Sequence, residues 1–294
     1  MLIDTHCHIH DRGTYNFAFS RQQISKRLLR DHPDFPHEID DFTPEKIIAR
    51  AHQNDVKKMI CIGTSHDDSM SARDFAEKYA SSGVFWAYGI HPDEATGYEF
   101  SGHRLRGPSS HLVAIGEVGL DYRETTANRT AQIKLFEKML QLAKDNDLPL
   151  IFHIRDAFDD FFSVITNFPD VRGVVHSFSD NEENLKKSLD KGFYIGVNGL
   201  ATFAPEIPLP PLERTLLETD APFLTPAPFR GTINEPARVQ DVCAHISKIK
   251  GKSEAEVAQI TTENAEHLFK IWYTFFCPQG ICFWYSRPRF VPGT

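Results

Sequence analysis

Leu112-Val113-Ala114-Ile115-Gly116-Glu117 is an uninterrupted apolar run that ends in a single carboxylate. A strand that is buried on both faces has such a continuous hydrophobic sequence, so the run predicts an interior strand of a parallel sheet. Glu117 would then lie at the carboxyl end of that strand, where side chains of an α/β fold are free to act on other molecules.

The same pattern of an apolar run followed by a histidine or a carboxylate recurs at four other places. The residues that end these runs are His6 and His8 after 2–5, His153 after 150–152, His176 after 174–175, and Asp220 after 216–219. The carboxyl ends of parallel strands meet at one face of a barrel. The sequence therefore predicts that these side chains, far apart in the chain, gather at one site.

Strand-like runs alternate with helix-like runs along most of the chain. Eight strands are predicted, at 2–5, 56–63, 84–90, 112–116, 150–153, 173–176, 193–197 and 215–219. Strict alternation with helices favours a parallel sheet, and eight strands favour a closed (β/α)8 barrel of the TIM type. The length of 294 residues fits this fold, which typically takes about 250 residues.

One crossover is expected to depart from the pattern. Residues 201–213 contain Pro205, Pro208, Pro210 and Pro211, which exclude a regular helix because proline lacks the backbone donor and clashes with the preceding turn. The seventh crossover helix is therefore predicted to be reduced or missing. No glycine-rich phosphate fingerprint follows the first strand, which argues against a nucleotide-binding fold.

The domain organisation that we predict is one barrel over residues 1–271 and a tail of unknown role over 272–294. The barrel contains an insertion at about 11–42, a polar segment that is first basic and then acidic. The tail, with Cys277 and Cys282, has a composition foreign to the rest of the chain.

Composition excludes several classes of protein. The net charge of −8 leaves no broad basic surface, so a nucleic acid would have to be held locally by metal and a few cations. No apolar run is long enough to cross a bilayer, and no signal peptide is recognisable at the amino terminus. We expect Cys7, Cys61 and Cys243 to be reduced and buried, and the protein to be cytoplasmic, without an obligate protein partner.

The six side chains at the strand ends have the chemistry of metal ligands. His6 and His8 are two residues apart on a strand and so point to the same side. Six ligands exceed the needs of one four-coordinate ion, but two ions that share Glu117 would use them all. Two-metal sites hold ions about 3.5–4 Å apart and activate water at neutral pH. Asp220 is the candidate for orienting that water and accepting its proton, and Glu117 is the second catalytic candidate.

The identity of the metal stays open at this point, because imidazole suits zinc whereas carboxylate and water suit magnesium or manganese. His91, at the end of the third strand, is a candidate contact for a substrate phosphate. Arg155 and Arg230 could bind phosphate through their forked guanidinium groups, or could equally form surface salt bridges. Nine further histidines are interpreted as surface or loop positions: His10, His32, His37, His52, His66, His103, His111, His245 and His267.

A purely structural interpretation exists for each residue alone. A single histidine at a strand end is commonly a hydrogen-bonded loop residue, and Asp220 could simply cap the turn into Pro222. The combination is harder to explain in that way, because buried histidines and carboxylates without partners are costly.

The motifs resemble those of the TatD family of metal-dependent deoxyribonucleases, within the amidohydrolase-like barrels. The matching segments are 3–8, 89–92, 114–122, 153–157, 176–179, 218–222, 230–236 and 262–265, in the expected order. The resemblance implies one ion at His6, His8 and Asp220, a second at His153 and His176, and Glu117 as the bridge. It also implies hydrolysis of phosphodiester bonds in DNA, often in the 3′-to-5′ direction, with magnesium as the working ion.

Two other functions remain open on the same fold. The first is hydrolysis of an amide or ester, such as a D-aminoacyl ester on tRNA. Many such barrels bridge their metals with a carboxylated lysine on the fourth strand, where this chain has Glu117, so phosphoester hydrolysis is favoured. The second is a barrel that binds ligand without catalysis, which the intact set of ligand-type residues argues against.

Overall fold

The computed structural model describes residues 1–33, 35–96, 111–123 and 127–272. Eight parallel strands form a single sheet in the order of the sequence, which confirms the TIM-type barrel. The strands are β1 (Leu2–Cys7), β2 (Val56–Ile62), β3 (Val84–Tyr88), β4 (Leu112–Asp121), β5 (Leu150–Arg155), β6 (Gly173–Val175), β7 (Tyr194–Val197) and β8 (Thr215–Leu217).

Nine α-helices lie in the described residues. They are α1 (Arg12–Arg21), α2 (Lys26–Asp31), α3 (Pro44–Gln53), α4 (His66–Lys78), α5 (Arg129–Asp145), α6 (Phe158–Ile165), α7 (Glu182–Asp190), α8 (Val239–Lys250) and α9 (Glu254–Phe269). Between β7 and β8 the chain forms only two short 3-10 turns, at Gly199–Thr202 and Leu212–Arg214, which confirms that the seventh crossover helix is missing.

The barrel closes where β1 meets the segment that follows β8. The Asp220 backbone N–H donates to the His6 carbonyl at 2.9 Å, and the His8 N–H donates to the Ala221 carbonyl at 2.8 Å. Lower in the barrel the Thr5 hydroxyl donates to the Leu217 carbonyl at 3.0 Å. These bonds bring the first and last candidate ligands of the chain together.

The candidate ligands lie nearer the strand interiors than the sequence indicates. β4 was expected to end at Gly116 but continues to Asp121, so that Glu117 lies inside it, and β5 continues past His153 to Arg155. The reason is that β4 and β5 remain paired along their length, with Gly119 opposite His153 and Asp121 opposite Arg155. Polar residues in this stretch hide the continuation from a reading of hydrophobicity alone.

The insertion at 11–42 folds over the loop that follows β8. It contains the two helices α1 and α2. Tyr15 is buried and its hydroxyl donates to the Asn234 carbonyl at 3.4 Å, while the Gln23 N–H donates to the Gly231 carbonyl at 2.6 Å. The insertion is thus fixed to the rim of the barrel from which Asp220 projects.

The opposite end of the barrel is closed by the end of α9. Lys58 is buried and its ammonium group donates to Glu266 at 2.7 Å and to the Ile271 carbonyl at 2.5 Å. The predicted tail lies outside the described residues from position 273 onward, including Cys277 and Cys282. No helix in the described part of the chain is long and apolar enough to span a membrane.

Candidate metal centre

Glu117 occupies the middle of the cluster of candidate ligands. Its Oε1 atom lies 2.6 Å from His153 Nδ1 and 3.6 Å from His176 Nε2. Its other oxygen, Oε2, lies 3.5 Å from His6 Nε2. The carboxylate therefore faces histidines on both of its sides. One oxygen faces His153 and His176, and the other faces His6.

Asp220 faces the two histidines of β1. Its Oδ1 atom lies 3.6 Å from His6 Nε2 and 3.6 Å from His8 Nε2. All six residues that the sequence singled out as metal ligands thus converge at one mouth of the barrel.

Three of the histidines have their outer ring nitrogen directed at a fixed acceptor. His8 Nδ1 lies 3.1 Å from the Ile62 carbonyl, and His153 Nε2 lies 2.9 Å from Asp121 Oδ2. His176 Nδ1 lies 3.1 Å from Glu218 Oε1. Such partners fix the orientation and tautomer of a metal-bound imidazole, whose inner nitrogen gives up its proton when the metal binds.

Asp121 and Glu218 orient candidate ligands, and the sequence interpretation did not identify them as functional residues. Both are almost fully buried, and Glu218 also accepts from the Ser177 N–H at 2.6 Å. A signal was present, since both lie in the same polar segments as Glu117 and Asp220. Their contacts with histidines depend on the register between strands, which the sequence does not contain.

His6 gives the test of whether a cation fits. Its side chain is fully buried, and neither ring nitrogen has a hydrogen-bond partner in the described residues. The ring stacks on that of His176 with centroids 3.5 Å apart. An unsatisfied buried imidazole is costly, and a divalent cation beside Nε2, which two carboxylates already face, would satisfy that nitrogen. The donor set fits the group.

The pKa values of the histidines reflect a balance of burial and charge. Burial lowers the pKa of His6, and the adjacent His176 lowers it further. Burial acts in the same direction on His153 and His176, but the carboxylates that face them outweigh it. The pKa of His153 is raised to about 10 and that of His176 to about 9.

The two central carboxylates stay ionised. Burial acts to raise the pKa of Glu117, but His153 and His176 hold it well below its ordinary range. The pKa of Asp220 is lowered because its hydrogen bond with His8 and its attraction to the nearby imidazoles outweigh the effect of burial. A cluster of ionised carboxylates and imidazole nitrogens is a favourable environment for a divalent cation.

Backbone conformation brings these side chains to the rim. Asp220 has a φ of 58°, and Ser177, directly after His176, has a φ of 47°. Left-handed backbone at residues other than glycine is costly, and such strain tends to occur at functional sites. Buried Asp4 supports the turn, because its carboxylate accepts from the Thr219 N–H at 2.9 Å and from the Thr219 hydroxyl at 2.6 Å.

Solvent reaches only part of the cluster. The Asp220 and His153 side chains are 17% and 18% exposed, whereas His6 is completely covered. A substrate would therefore approach over Asp220 and His153.

The three predicted substrate contacts have different positions. The His91 ring lies 4.5 Å from that of His153, so His91 is part of the cluster. Arg155 is the last residue of β5, two positions beyond His153 on the same rim. Arg230 lies on the exposed loop after β8, with its guanidinium carbon 3.6 Å above the centre of the Phe203 ring. No described contact joins Arg230 to the six candidate ligands.

His10 lies in the turn after β1, which agrees with its interpretation as a surface or loop position, but its side chain is not at the surface. Its side chain is fully buried, and Nε2 lies 3.0 Å from Asp68 Oδ1. Burial acts to lower its pKa, but the carboxylate of Asp68 raises it to about 10. The chain after β1 continues inward beside the loop after β2, so this histidine is covered together with its carboxylate partner. His103 lies outside the described residues.

The sequence profile of TatD related DNases matches residues 3–270, nearly the whole of the barrel. This chain belongs to the TatD-related DNase family. Within that family it is 32% identical to the metal-dependent hydrolase YcfH of Escherichia coli K12, over 92% of this chain and 96% of that protein. It is 31% identical to the 3'-5' ssDNA/RNA exonuclease TatD of Cronobacter sakazakii, over 78% of this chain and 92% of that protein.

Solved structures of TatD proteins share the fold. The TatD homologue YjjV of Escherichia coli K12 superposes with a TM-score of 0.74 and 28% identity, over 92% of this chain and 98% of that one. A TatD-family hydrolase of Entamoeba histolytica has a TM-score of 0.73 at 22% identity, over 91% and 97% of the two chains. The chain described here is thus a metal-dependent hydrolase of the TatD family.

Proposed function

We propose that this TatD-family hydrolase cleaves phosphodiester bonds in single-stranded DNA, in the 3′-to-5′ direction. Support comes from the family match and from the relative named as a 3'-5' ssDNA/RNA exonuclease. The geometry adds a chemical reason. Two cations on either side of a shared carboxylate suit displacement at phosphorus, where both the attacking and the leaving oxygen carry negative charge.

The observation that carries the proposal is the position of Glu117 between two sets of ligands. We assign His6, His8 and Asp220 to one divalent ion and His153 and His176 to a second. Glu117 would be shared, since its two oxygens face opposite sides of the cluster. Magnesium is the proposed working ion, with manganese and zinc as alternatives that the mixed imidazole and carboxylate ligands also suit.

The residues of the chain then have distinct tasks. Divalent ions, when bound, supply charge neutralisation and lower the pKa of water. Asp220 is ionised and partly exposed, so it can accept the proton of the attacking water at the side from which substrate enters. His91 and Arg155, on the same rim, are proposed to contact the substrate phosphate.

The experiment is a comparison of substrates and labels with one purified protein. Single-stranded DNA oligomers labelled at either end, RNA of the same sequence and D-aminoacyl-tRNA are incubated with magnesium, manganese or zinc. We expect DNA to be shortened from its 3′ end, and Asp220→Asn to lose at least a hundredfold in rate while remaining folded. Cleavage of the aminoacyl ester with intact DNA would overturn the proposal, and so would full activity of the variant.

Location and domain limits are part of the same proposal. Cys7, Cys61 and Cys243 are free and buried, which is consistent with a reducing compartment such as the cytoplasm. Residues 1–271 are proposed to be the complete catalytic unit.

A further inference from the structure

The insertion at 11–42 contains an unusual segregation of charge. Between positions 12 and 30 it has five cationic residues and no Asp or Glu, in a chain whose net charge is −8: Arg12, Arg21, Lys26, Arg27 and Arg30. We call residues 12–30 the cationic arm. Basic residues confined to one segment of an acidic protein are the electrostatic pattern expected where a polyanion is bound locally.

Most of these cations are available to a ligand. Arg12 is committed to the fold, since it donates to the Phe42 carbonyl at 2.8 Å. Arg27 and Arg30 share the single carboxylate of Asp31 in exposed ion pairs, which contribute little energy and exchange readily. Lys26 is exposed. The arm therefore keeps a net positive charge on its outer surface.

The arm is fixed beside the metal centre. It begins five residues after the end of β1, which contains His6, and His8 lies in the connection between the two. The Gln23 N–H donates to the Gly231 carbonyl at 2.6 Å. Beyond the arm, Phe35 stacks on Phe229 of the same loop with centroids 5.5 Å apart. A ligand bound along the arm would thus also meet the loop after β8, which starts at Asp220.

Exposed aromatic rings accompany the cations. Phe17, on the arm, is 49% exposed, and the Arg21 guanidinium carbon lies 4.3 Å from the centre of its ring. Phe223, on the loop after β8, is 38% exposed, and its N–H donates to the Asp220 carbonyl at 2.8 Å. Alternating cations and exposed rings are the surface that single-stranded nucleic acids use, with phosphates on the cations and unstacked bases on the rings.

We propose that the cationic arm and the exposed residues of the loop after β8 form a binding track for single-stranded nucleic acid that ends at the candidate metal centre. Arg21, Lys26 and Arg27 contact phosphates upstream of the cleaved bond, and Phe17 and Phe223 stack bases. This inference rests on the proposed function for the position of the strand end. It adds a binding surface outside the six candidate ligands and explains how an acidic protein holds a polyanion.

The test compares two triple variants on a long and a short substrate. Arg21→Gln/Lys26→Gln/Arg27→Gln removes the arm cations, and Lys134→Gln/Lys138→Gln/Lys144→Gln removes the same charge from the exposed face of α5. Initial rates are measured on a twelve-nucleotide single-stranded DNA and on a dinucleotide, the shortest substrate that contains a phosphodiester bond. The ratio of the two kcat/KM values reports binding along the arm.

We expect the arm variant to lower this ratio at least tenfold at moderate salt and to flatten its salt dependence by about two units of log–log slope. Phe223→Ala should lower the ratio severalfold as well, since it removes a ring on which a base stacks. The α5 variant should match the wild type. An arm variant whose ratio stays within twofold of the α5 variant would overturn the proposal. Lys26→Glu, a single exposed change, repeats the test if the triple variant folds poorly.

The two proposals fail in different ways. If the wild type cleaves neither DNA, the proposed function is wrong. The binding track can still be tested in that case, because the labelled twelve-nucleotide strand stays intact and its binding can be followed by fluorescence anisotropy. Tenfold weaker binding by the arm variant than by the α5 variant would still support the track. Equal binding by both would overturn it.

Discussion

At the scale of single residues, three histidines of the candidate metal centre, His8, His153 and His176, have their outer nitrogens directed at fixed acceptors. Asp121, the last residue of β4, is hydrogen-bonded to His153, and Glu218, directly after β8, makes a close charged contact with His176 Nδ1 at 3.1 Å. These carboxylates act on the candidate ligands through hydrogen bonds and charge rather than by touching the reacting atoms. They should therefore influence metal affinity more than overall stability.

Asp121→Asn and Glu218→Gln should each weaken the binding of divalent metal about 10–100-fold, because each leaves an imidazole without its orienting carboxylate. Metal titration calorimetry measures the change. Asp159→Asn, an exposed carboxylate in the first turn of α6, is the control and should bind metal like the wild type. Unchanged affinity in both site variants would show that the contacts do not orient the ligands.

Asp68 should contribute to stability in a pH-dependent manner. Burial acts to raise its pKa, but the His10 imidazole and the loop at Thr64 lower it to about 2. A depressed carboxyl pKa stabilises the fold above the ordinary value of about 4, and this contribution is lost as the pH falls through about 2. Asp68→Asn should cost about 2 kcal/mol of unfolding free energy at pH 7.

Urea unfolding at several pH values tests this. The difference between Asp68→Asn and wild type should shrink as the pH is lowered from 6 towards 3, while Asp67→Asn, exposed and adjacent, should show no difference. A cost that is independent of pH would mean that packing, not charge, accounts for the effect.

At the scale of elements, the close pairing of β4 with β5 sets the geometry of the centre. Gly119 lies opposite His153, and a Cβ atom at position 119 would be 1.9 Å from the His153 carbonyl oxygen. The φ of Gly119 is 154°, which side chains rarely adopt. Glycine at this position therefore lets the strand with Glu117 approach the strand with His153.

Gly119→Ala should lower the free energy of unfolding by about 2–4 kcal/mol and weaken metal binding, since the strands must separate at the ligands. Gly192→Ala is the matched control. Gly192 has a φ of 83° but open space around it, so its variant should cost about 1 kcal/mol and leave metal affinity unchanged. If Gly119→Ala binds metal as tightly as the wild type, the separation of β4 and β5 at this position does not displace His153, and the prediction is wrong.

At the scale of the whole molecule, the far end of the barrel is closed by residues at the end of the family match. Ile271 is buried, and its carbonyl accepts from Lys58, which is also paired with Glu266. We propose that the residues after Ile271 are not required for catalysis.

Two truncated chains test the closing role of Ile271 separately from the role of the residues that follow it. A chain that stops at Trp272 should keep hydrolytic activity and lie within about 0.5 kcal/mol of full length in unfolding free energy, as changes away from structural contacts do. A chain that stops at Phe269 should lose about 2–3 kcal/mol, because it forfeits the buried Ile271 side chain and a partner of Lys58. Equal stability of the two truncated chains would contradict the closing role of Ile271.

The barrel could be predicted from the alternation of strands and helices, and the convergence of the six candidate ligands from the polar residues that end five of the eight apolar runs. The missing seventh crossover helix followed from four prolines. Other features depend on tertiary contacts that no local pattern contains. Asp121 and Glu218 acquire partners only through strand register, and His10 is buried beside Asp68, in the first turn of α4. The charge of the insertion was readable, but its attachment to the loop at Gly231 was not.

Anomalous diffraction from crystals grown with Mn²⁺ would locate the ions themselves. We predict two peaks at one mouth of the barrel, on either side of Glu117, one among His6, His8 and Asp220 and the other between His153 and His176. A single peak remote from Glu117, or no peak under conditions that support hydrolysis, would contradict the assignment of a shared carboxylate between two ions.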